Sequence, residues 1–173
     1  MSEFDEIKTA FERSEKILSI RPARGHETVV TKVRIRHGLT CEIEEGPWKL
    51  VADMPEKAGG HDSGPTPGTY GRGALGSCLA ICYMMWAAKL EVPIKNIEVE
   101  VQAECDHGAL YGVSDGPAGY SELRYIVTIE SSASEADIQR VLDEGDAHSP
   151  YLDVFSRSQH CHRQVKILPS PEE

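Results

Sequence analysis

Residues 64–90 constrain the fold of this chain more than any other segment. Their sequence, GPTPGTYGRGALGSCLAICYMMWAAKL, opens in a glycine- and proline-rich turn and continues into a long, mostly uncharged run. Such a run predicts a helix that is buried on most of its sides and therefore lies at the centre of the fold. Cys78 and Cys82 lie four residues apart within it. A cysteine in this position serves either as a small packing residue or as a nucleophile.

The composition of this segment favours a core helix and not a membrane span. Arg72 and several glycines interrupt its first half, and Lys89 lies at its end. The unbroken apolar part is about sixteen residues long, which is fewer than the roughly 20 residues that a bilayer requires. The charged N-terminus lacks the apolar region of a secretory signal. The cysteines number five and have no paired spacing, which indicates reduced thiols and predicts a cytoplasmic protein.

Length and charge narrow the classes of partner. A chain of 173 residues suits a single hydrophobic core. The net charge of −10 argues against nucleic acid and anionic membranes as partners, since both attract basic surfaces. The glycine-rich loop at residues 59–65 lacks phosphate-binding spacing. We therefore expect no cofactor.

The pattern of hydrophobic residues predicts one α+β domain. An amphipathic helix and linker occupy residues 1–27, and the main domain occupies residues 28–173. The predicted helices cover residues 3–20, 69–90 and 134–144, with a short helix after Ser149. The predicted strands cover residues 28–36, 40–45, 48–53, 94–105, 122–131 and 164–168. The first three strands are close together in sequence and predict an antiparallel meander.

Three motifs on these elements carry a resemblance to a known family. The first is GPTP…ALGSC, in which Cys78 follows Pro67 on the central helix; the second is the strand IKNIEVEVQAECD directly after it. The third is HSPY at residues 148–151. Together with the order of elements, they resemble the OsmC/Ohr family of thiol-dependent hydroperoxide-handling proteins.

The resemblance implies a fold and a chemistry. The fold would be an antiparallel meander packed on a long central helix, in an intertwined homodimer whose sites are lined by both subunits. The helix cysteine, here Cys78, would attack a peroxide as a thiolate, and a second cysteine from a later helix would resolve the product into a disulfide. An arginine lowers the pKa of the nucleophilic thiol, and a glutamate at the start of the helix orients that arginine.

This sequence departs from the family pattern at two places. Ser149 stands where the resolving cysteine is expected, and Gly68 and Thr69 stand where the glutamate is expected. The candidate catalytic residues are therefore Cys78, Ser149 and an arginine. Arg36 and Arg34 on the predicted meander match the region from which the family draws its arginine, whereas Arg72 points about 120° away from Cys78 on the helix.

The resemblance implies an oxidoreductase of the peroxide response, with a hydroperoxide as substrate and an external thiol as reductant. The alternative is a family member without turnover that binds a small apolar molecule in the dimer pocket. A third hypothesis is a metal site that includes His160 and His162, and Cys161 between them could replace the missing resolving thiol. Ser149 also suits the N-cap of the short helix that it precedes.

Overall fold

The computed structural model describes residues 2–169 and has an α+β fold. Its helices are α1 (Glu3–Ile20), α2 (Pro67–Leu90), α3 (His107–Leu110), α4 (Glu135–Ala147) and α5 (Pro150–Ser156). Its strands are β1 (Lys32–His37), β2 (Thr40–Glu45), β3 (Trp48–Ala52), β4 (Ile94–Cys105) and β5 (Tyr120–Ser131). The strands form two antiparallel sheets, β1-β2-β3 and β4-β5. The predicted fold class, with a meander and a long helix, is confirmed.

Helix α2 organises the core. It begins where the Thr66 side chain accepts a hydrogen bond from the Thr69 amide, with Pro67 at the first helical position. It ends at Glu91, whose φ of 58° is left-handed. Its buried residues are Leu75, Leu79, Tyr83, Ala87 and Ala88. By length and composition α2 could cross a membrane, but it packs against α1, α4, α5 and β4 as the core helix of this fold.

The two sheets differ in how closely they pack on α2. Within one chain the β4-β5 ribbon packs along the helix, whereas the meander is joined to the helix region by a few contacts. The Tyr70 hydroxyl donates to the Val51 carbonyl at 2.7 Å, and the Asp53 amide donates to the Pro65 carbonyl at 3.2 Å. Strand β1 is exposed along its whole length, and the Trp48 side chain is 71% exposed. The apolar side chains of the meander therefore lack cover in the single chain.

The structure corrects several predicted boundaries. Residues 164–168 do not form a strand: the segment at residues 158–169 belongs to neither sheet, and Ile167 is 88% exposed. Its alternating pattern suits a strand, but within the described chain no sheet edge lies beside it. Strand β1 begins at Lys32 and not at residue 28, and α4 continues to Ala147.

A buried carboxylate fixes the loop that leads into α2. Asp53 accepts hydrogen bonds from the Thr40 hydroxyl at 2.9 Å and from the backbone amides of Met54, His61 and Ser63 at 2.7, 3.2 and 3.2 Å. Burial raises the pKa of Asp53, but these hydrogen bonds together lower it by more than burial raises it. The net pKa therefore lies well below its ordinary value. The carboxylate therefore stays ionised and ties the loop to the meander.

Close packing of α4 on α2 gives a prediction for Gly145. A Cβ atom at this position would lie 2.4 Å from Cδ1 of Tyr83, whose buried ring has no room to retreat. Gly145→Ala should therefore lower the free energy of unfolding by about 1–3 kcal/mol, measured by denaturant titration. Gly73→Ala is the matched control, because nothing lies within 4 Å of the added Cβ atom. Its free energy of unfolding should rise by about 0.5–1 kcal/mol. Unchanged stability of Gly145→Ala would contradict this packing.

Candidate functional site

The structure brings Cys78 and Ser149 into contact. The Cys78 sulfur on α2 lies 3.4 Å from the Ser149 hydroxyl oxygen at the start of α5, although the two residues are 71 positions apart in sequence. Cys78 is half-buried, whereas Ser149 is only 2% exposed. The serine of the HSPY motif therefore faces the helix cysteine of the first motif.

Ser149 is held in place as the N-cap of α5. Its oxygen accepts a hydrogen bond from the Leu152 amide at 3.4 Å, and Pro150 occupies the first helical position. A hydroxyl has one hydrogen to donate and two lone pairs to accept with. Since the oxygen already accepts from Leu152, the hydroxyl hydrogen is available to the Cys78 sulfur.

A cluster of two tyrosines and an aspartate, in which Tyr83 is buried, fixes the α4–α5 junction beside α2. The Tyr83 and Tyr125 hydroxyls donate to the two carboxylate oxygens of Asp146, at 2.5 and 3.0 Å. Burial, followed by the bond to Asp146, raises the pKa of both tyrosines. The phenols therefore remain protonated donors, and Asp146 lies three residues before Ser149. No local pattern could predict this cluster, because its members come from α2, β5 and α4.

Cys82 lies one helical turn beyond Cys78. Its sulfur is 4.0 Å from the His148 carbonyl oxygen, and the His148 ring lies 4.7 Å from the Trp86 ring. Burial, and then the neighbouring Cys78, raises the pKa of Cys82 to about 11. At neutral pH Cys82 is therefore a protonated thiol. All five cysteines of the chain are free.

The arginines of the meander pair with carboxylates of the same sheet. Arg36 forms an ion pair with Glu42, and Arg34 Nη1 lies 2.7 Å from a Glu44 carboxylate oxygen. Strand β1, which carries both arginines, is not among the elements that pack on α2. Within one chain the structure therefore does not bring Arg36 to Cys78.

Arg72 lies near the start of α2 and bonds to a tyrosine. Its Nη1 donates to the Tyr120 hydroxyl at 3.2 Å, and that hydroxyl donates to the Gly68 carbonyl at 3.3 Å. A Cβ atom at Gly68 would lie 3.2 Å from Arg72 Nη1. Among residues 2–169 Arg72 forms no ion pair. Gly68, which stands where the glutamate is expected, thus faces Arg72 but offers it no carboxylate. The sequence pattern did not predict the contact with Tyr120, because Tyr120 lies 48 positions from Arg72.

The candidate metal ligands near the C-terminus lie outside both sheets. His160, Cys161 and His162 lie on the exposed segment after α5. Within the described part of the chain no three histidine, cysteine or acidic side chains are grouped to hold a metal ion. Cys161 forms no hydrogen bond with the cysteines of α2.

These features define a class of α+β protein: a long central helix carries a half-buried thiol, and the N-cap residue of a later short helix faces it. Comparison with known proteins gives the family. A sequence model described as OsmC-like protein matches residues 60–161, which include Cys78 and Ser149. The chain belongs to the OsmC-like family, as the motifs predicted. The matched range leaves α1 and the meander outside.

Several solved structures of low sequence identity share the fold of this chain. An OsmC-like protein from Mycoplasma pneumoniae has a TM-score of 0.65 at 15% identity, covering 75% of this chain and 88% of that one. The organic hydroperoxide resistance protein OsmC from Legionella pneumophila has a TM-score of 0.54 at 13% identity, covering 75% and 89%. An organic hydroperoxide resistance protein from Elizabethkingia anophelis, with thiocyanate bound, has a TM-score of 0.54 at 10% identity, covering 75% and 88%. No curated protein matches the sequence.

Proposed function

We propose that this protein reduces hydroperoxides with Cys78 as the nucleophile and an external thiol as the reductant. The observation that carries the proposal is the 3.4 Å contact between the Cys78 sulfur and the buried Ser149 hydroxyl. It joins the first and the third of the three motifs that carry the family resemblance. Two structural relatives are named as organic hydroperoxide resistance proteins, which supports the class of substrate.

The first step is oxidation of Cys78. The thiolate sulfur attacks one peroxide oxygen, the O–O bond breaks, and the sulfur gives up two electrons. Cys78 becomes a sulfenic acid, and the other oxygen leaves as an alkoxide that takes up a proton to form the alcohol. A thiolate has no hydrogen to donate, so in that state the Ser149 hydroxyl is the donor to the Cys78 sulfur.

The second step requires a thiol from outside the chain. Ser149 has no sulfur, and Cys82 is protonated at neutral pH. Cys82 is also poorly placed, because helical Cβ atoms four residues apart are separated by about 5–6 Å, whereas a disulfide requires about 3.5–4.5 Å. An external thiol therefore condenses with the sulfenic acid to give a mixed disulfide and water. A second thiol then releases Cys78 and leaves as the disulfide of the reductant.

A trapping experiment tests the proposal. One equivalent of an organic hydroperoxide should convert Cys78 to a sulfenic acid that a cyclic 1,3-dione captures, and mass mapping should place the adduct on Cys78. Because the helical spacing disfavours a disulfide between Cys82 and Cys78, the adduct should form in high yield. Catalytic peroxide loss should then follow the addition of a monothiol or dithiol reductant. No adduct on Cys78 and no turnover with either reductant would contradict the proposal.

The second candidate function is binding of a small apolar molecule without turnover. It is favoured by the lack of an arginine contact to Cys78 within the chain and by glycine at the place of the orienting carboxylate. A cysteine without a nearby cation keeps a high pKa and reacts slowly. Binding of a small apolar molecule beside Cys78, without consumption of peroxide, would establish this alternative.

We also propose that the protein works as a homodimer in the cytoplasm. Helix α2 leaves Ile81 59% exposed and Met85 38% exposed, and the meander exposes Val33, Ile35 and Trp48. A second copy of the chain would cover these apolar side chains. Its meander would then supply Arg36 to the Cys78 site, exchanging the ion pair with Glu42 for a contact with the thiolate. The free cysteines suit a reducing compartment.

The dimer gives a measurable expectation. So much exposed apolar surface predicts an interface that buries well over about 2,000 Å², the class of obligate dimers. Sedimentation velocity at micromolar concentration should show a dimer and no folded monomer. Trp48→Glu should weaken the dimer, whereas Tyr111→Glu, on the exposed loop after α3, is a control for an added charge on an aromatic position. A stable, folded monomer of the unaltered protein would contradict the prediction.

A further inference from the structure

Cys78 and Cys82 form a pair of thiols that the proposed peroxide chemistry uses only in part. Both are half-buried on one face of α2, one helical turn apart. Both thiols approach the same short segment, Cys78 at the Ser149 hydroxyl and Cys82 at the His148 carbonyl. Cys78 is close enough to contribute to the raised pKa of Cys82. The two sulfurs therefore face the same segment at the α4–α5 junction.

The distance between the Cys78 and Cys82 side chains limits which products the two thiols can form. Cβ atoms about 5–6 Å apart are too distant for a direct S–S bond of about 2.05 Å. A single bridging atom changes the geometry, because two bonds to sulfur of about 2.3 Å each, meeting at a roughly tetrahedral angle, allow a separation of up to about 3.8 Å between the sulfurs. The separation that excludes a disulfide thus suits a soft atom bound to both thiols.

We propose that Cys78 and Cys82 together capture thiophilic metalloids, specifically trivalent arsenicals with one organic substituent. Such a compound has two exchangeable valences, which matches two thiols, and soft sulfur ligands favour soft acceptors. The arsenic–oxygen bonds of the arsenical are replaced by two arsenic–sulfur bonds. Both thiol protons leave with the oxygen as water, and no atom changes its oxidation state.

The different environments of the two thiols give capture a sequence of steps. Cys82 is protonated at neutral pH, so reagents that require a thiolate react with it slowly. Once Cys78 has bound the arsenical, Cys82 is held beside it, and ring closure becomes intramolecular at a high effective concentration. Capture would also block Cys78 and thereby stop any peroxide chemistry at this site.

Phenylarsine oxide is the probe for this site. The folded protein should bind one equivalent, and the adduct should survive excess monothiol but be removed by a small dithiol. Alkylation of the denatured adduct with mass mapping should show Cys78 and Cys82 protected together and Cys105 and Cys161 modified. Adduct formation should be unchanged in Cys105→Ala and in Cys161→Ala, because each of these variants removes an exposed thiol that is not one of the proposed pair.

Single replacements make the test decisive. Cys78→Ala and Cys82→Ala should each lower retention under monothiol competition by at least about 100-fold, because one thiol cannot close the ring. If either variant fails to fold, the protection map of the unaltered protein still tests the pair. The proposal is overturned by an adduct that persists in Cys82→Ala, by protection of other cysteines, or by no adduct at all. None of these readouts depends on peroxide turnover, so failure here and failure of the proposed function are distinguishable.

Discussion

Replacing Cys78 by serine should reduce the rate of peroxide consumption to that of the peroxide with the reductant alone. Every step of the proposed cycle passes through the Cys78 sulfur, and the hydroxyl that would replace it is a far weaker nucleophile near neutral pH. The contact with Ser149 at 3.4 Å offers no second nucleophile, since Ser149 is buried and caps α5. Loss of a nucleophile typically lowers the rate by more than about 10³-fold.

The control for this experiment is Cys105→Ser. Cys105 is exposed at the end of β4 and its thiol contacts only the nearby Ala103 carbonyl, so turnover should be unchanged. Peroxide would be measured directly, with thermal unfolding to verify that each variant is folded. If Cys78→Ser retains most of the activity while Cys105→Ser loses it, the nucleophile has been assigned to the wrong thiol.

Two further variants in the same assay distinguish the sources of positive charge. Arg36→Ala should slow the reaction if a second subunit brings the meander to the pocket, and Arg72→Ala should slow it if the cation comes from α2 itself. The pH midpoint of Cys78 alkylation separates an effect on thiol ionisation from an effect on folding. A midpoint that rises only in one variant identifies the activating arginine.

The elements that carry the site could be predicted because their signals are local. The uncharged run ending at Leu90 predicts α2, and Ser149-Pro150 predicts a capped helix, since both depend on short-range propensity and capping. The contact between Cys78 and Ser149 followed from the family resemblance. Neither motif by itself predicts that Cys78 and Ser149 lie close together in the fold.

The parts that could not be predicted depend on long-range contacts. Residues 164–168 alternate like a strand, but a strand forms only beside a sheet edge, which the sequence pattern cannot reveal. The bonds of Asp146 to Tyr83 and Tyr125 join three elements and leave no periodic signal. The hydrogen bond from Arg72 to Tyr120 was missed for the same reason, because helix geometry fixes only the direction in which the arginine leaves α2.

Ser149→Cys should convert the one-cysteine site into a pair that forms a disulfide. The atoms to be joined are already 3.4 Å apart, so a shift of about 1.4 Å by either side chain would bring two sulfurs to the S–S distance of about 2.05 Å. Treatment with one equivalent of peroxide should give a variant that is lighter by two hydrogens, with α2 and α5 linked in non-reducing peptide maps. The unaltered protein under the same treatment should instead gain one oxygen atom on Cys78.

The new bond should also change stability in a direction that can be calculated. It would close a loop of 71 residues, for which chain entropy gives about 4 kcal/mol of stabilisation. Loss of the serine cap on α5 costs about 0.5–2 kcal/mol in both redox states. The reduced variant should therefore be less stable than the unaltered protein and the oxidised variant more stable, as measured by denaturant unfolding with and without a dithiol. Failure to form the disulfide in a folded, peroxide-treated variant would mean that Cys78 does not reach a sulfenic acid facing α5.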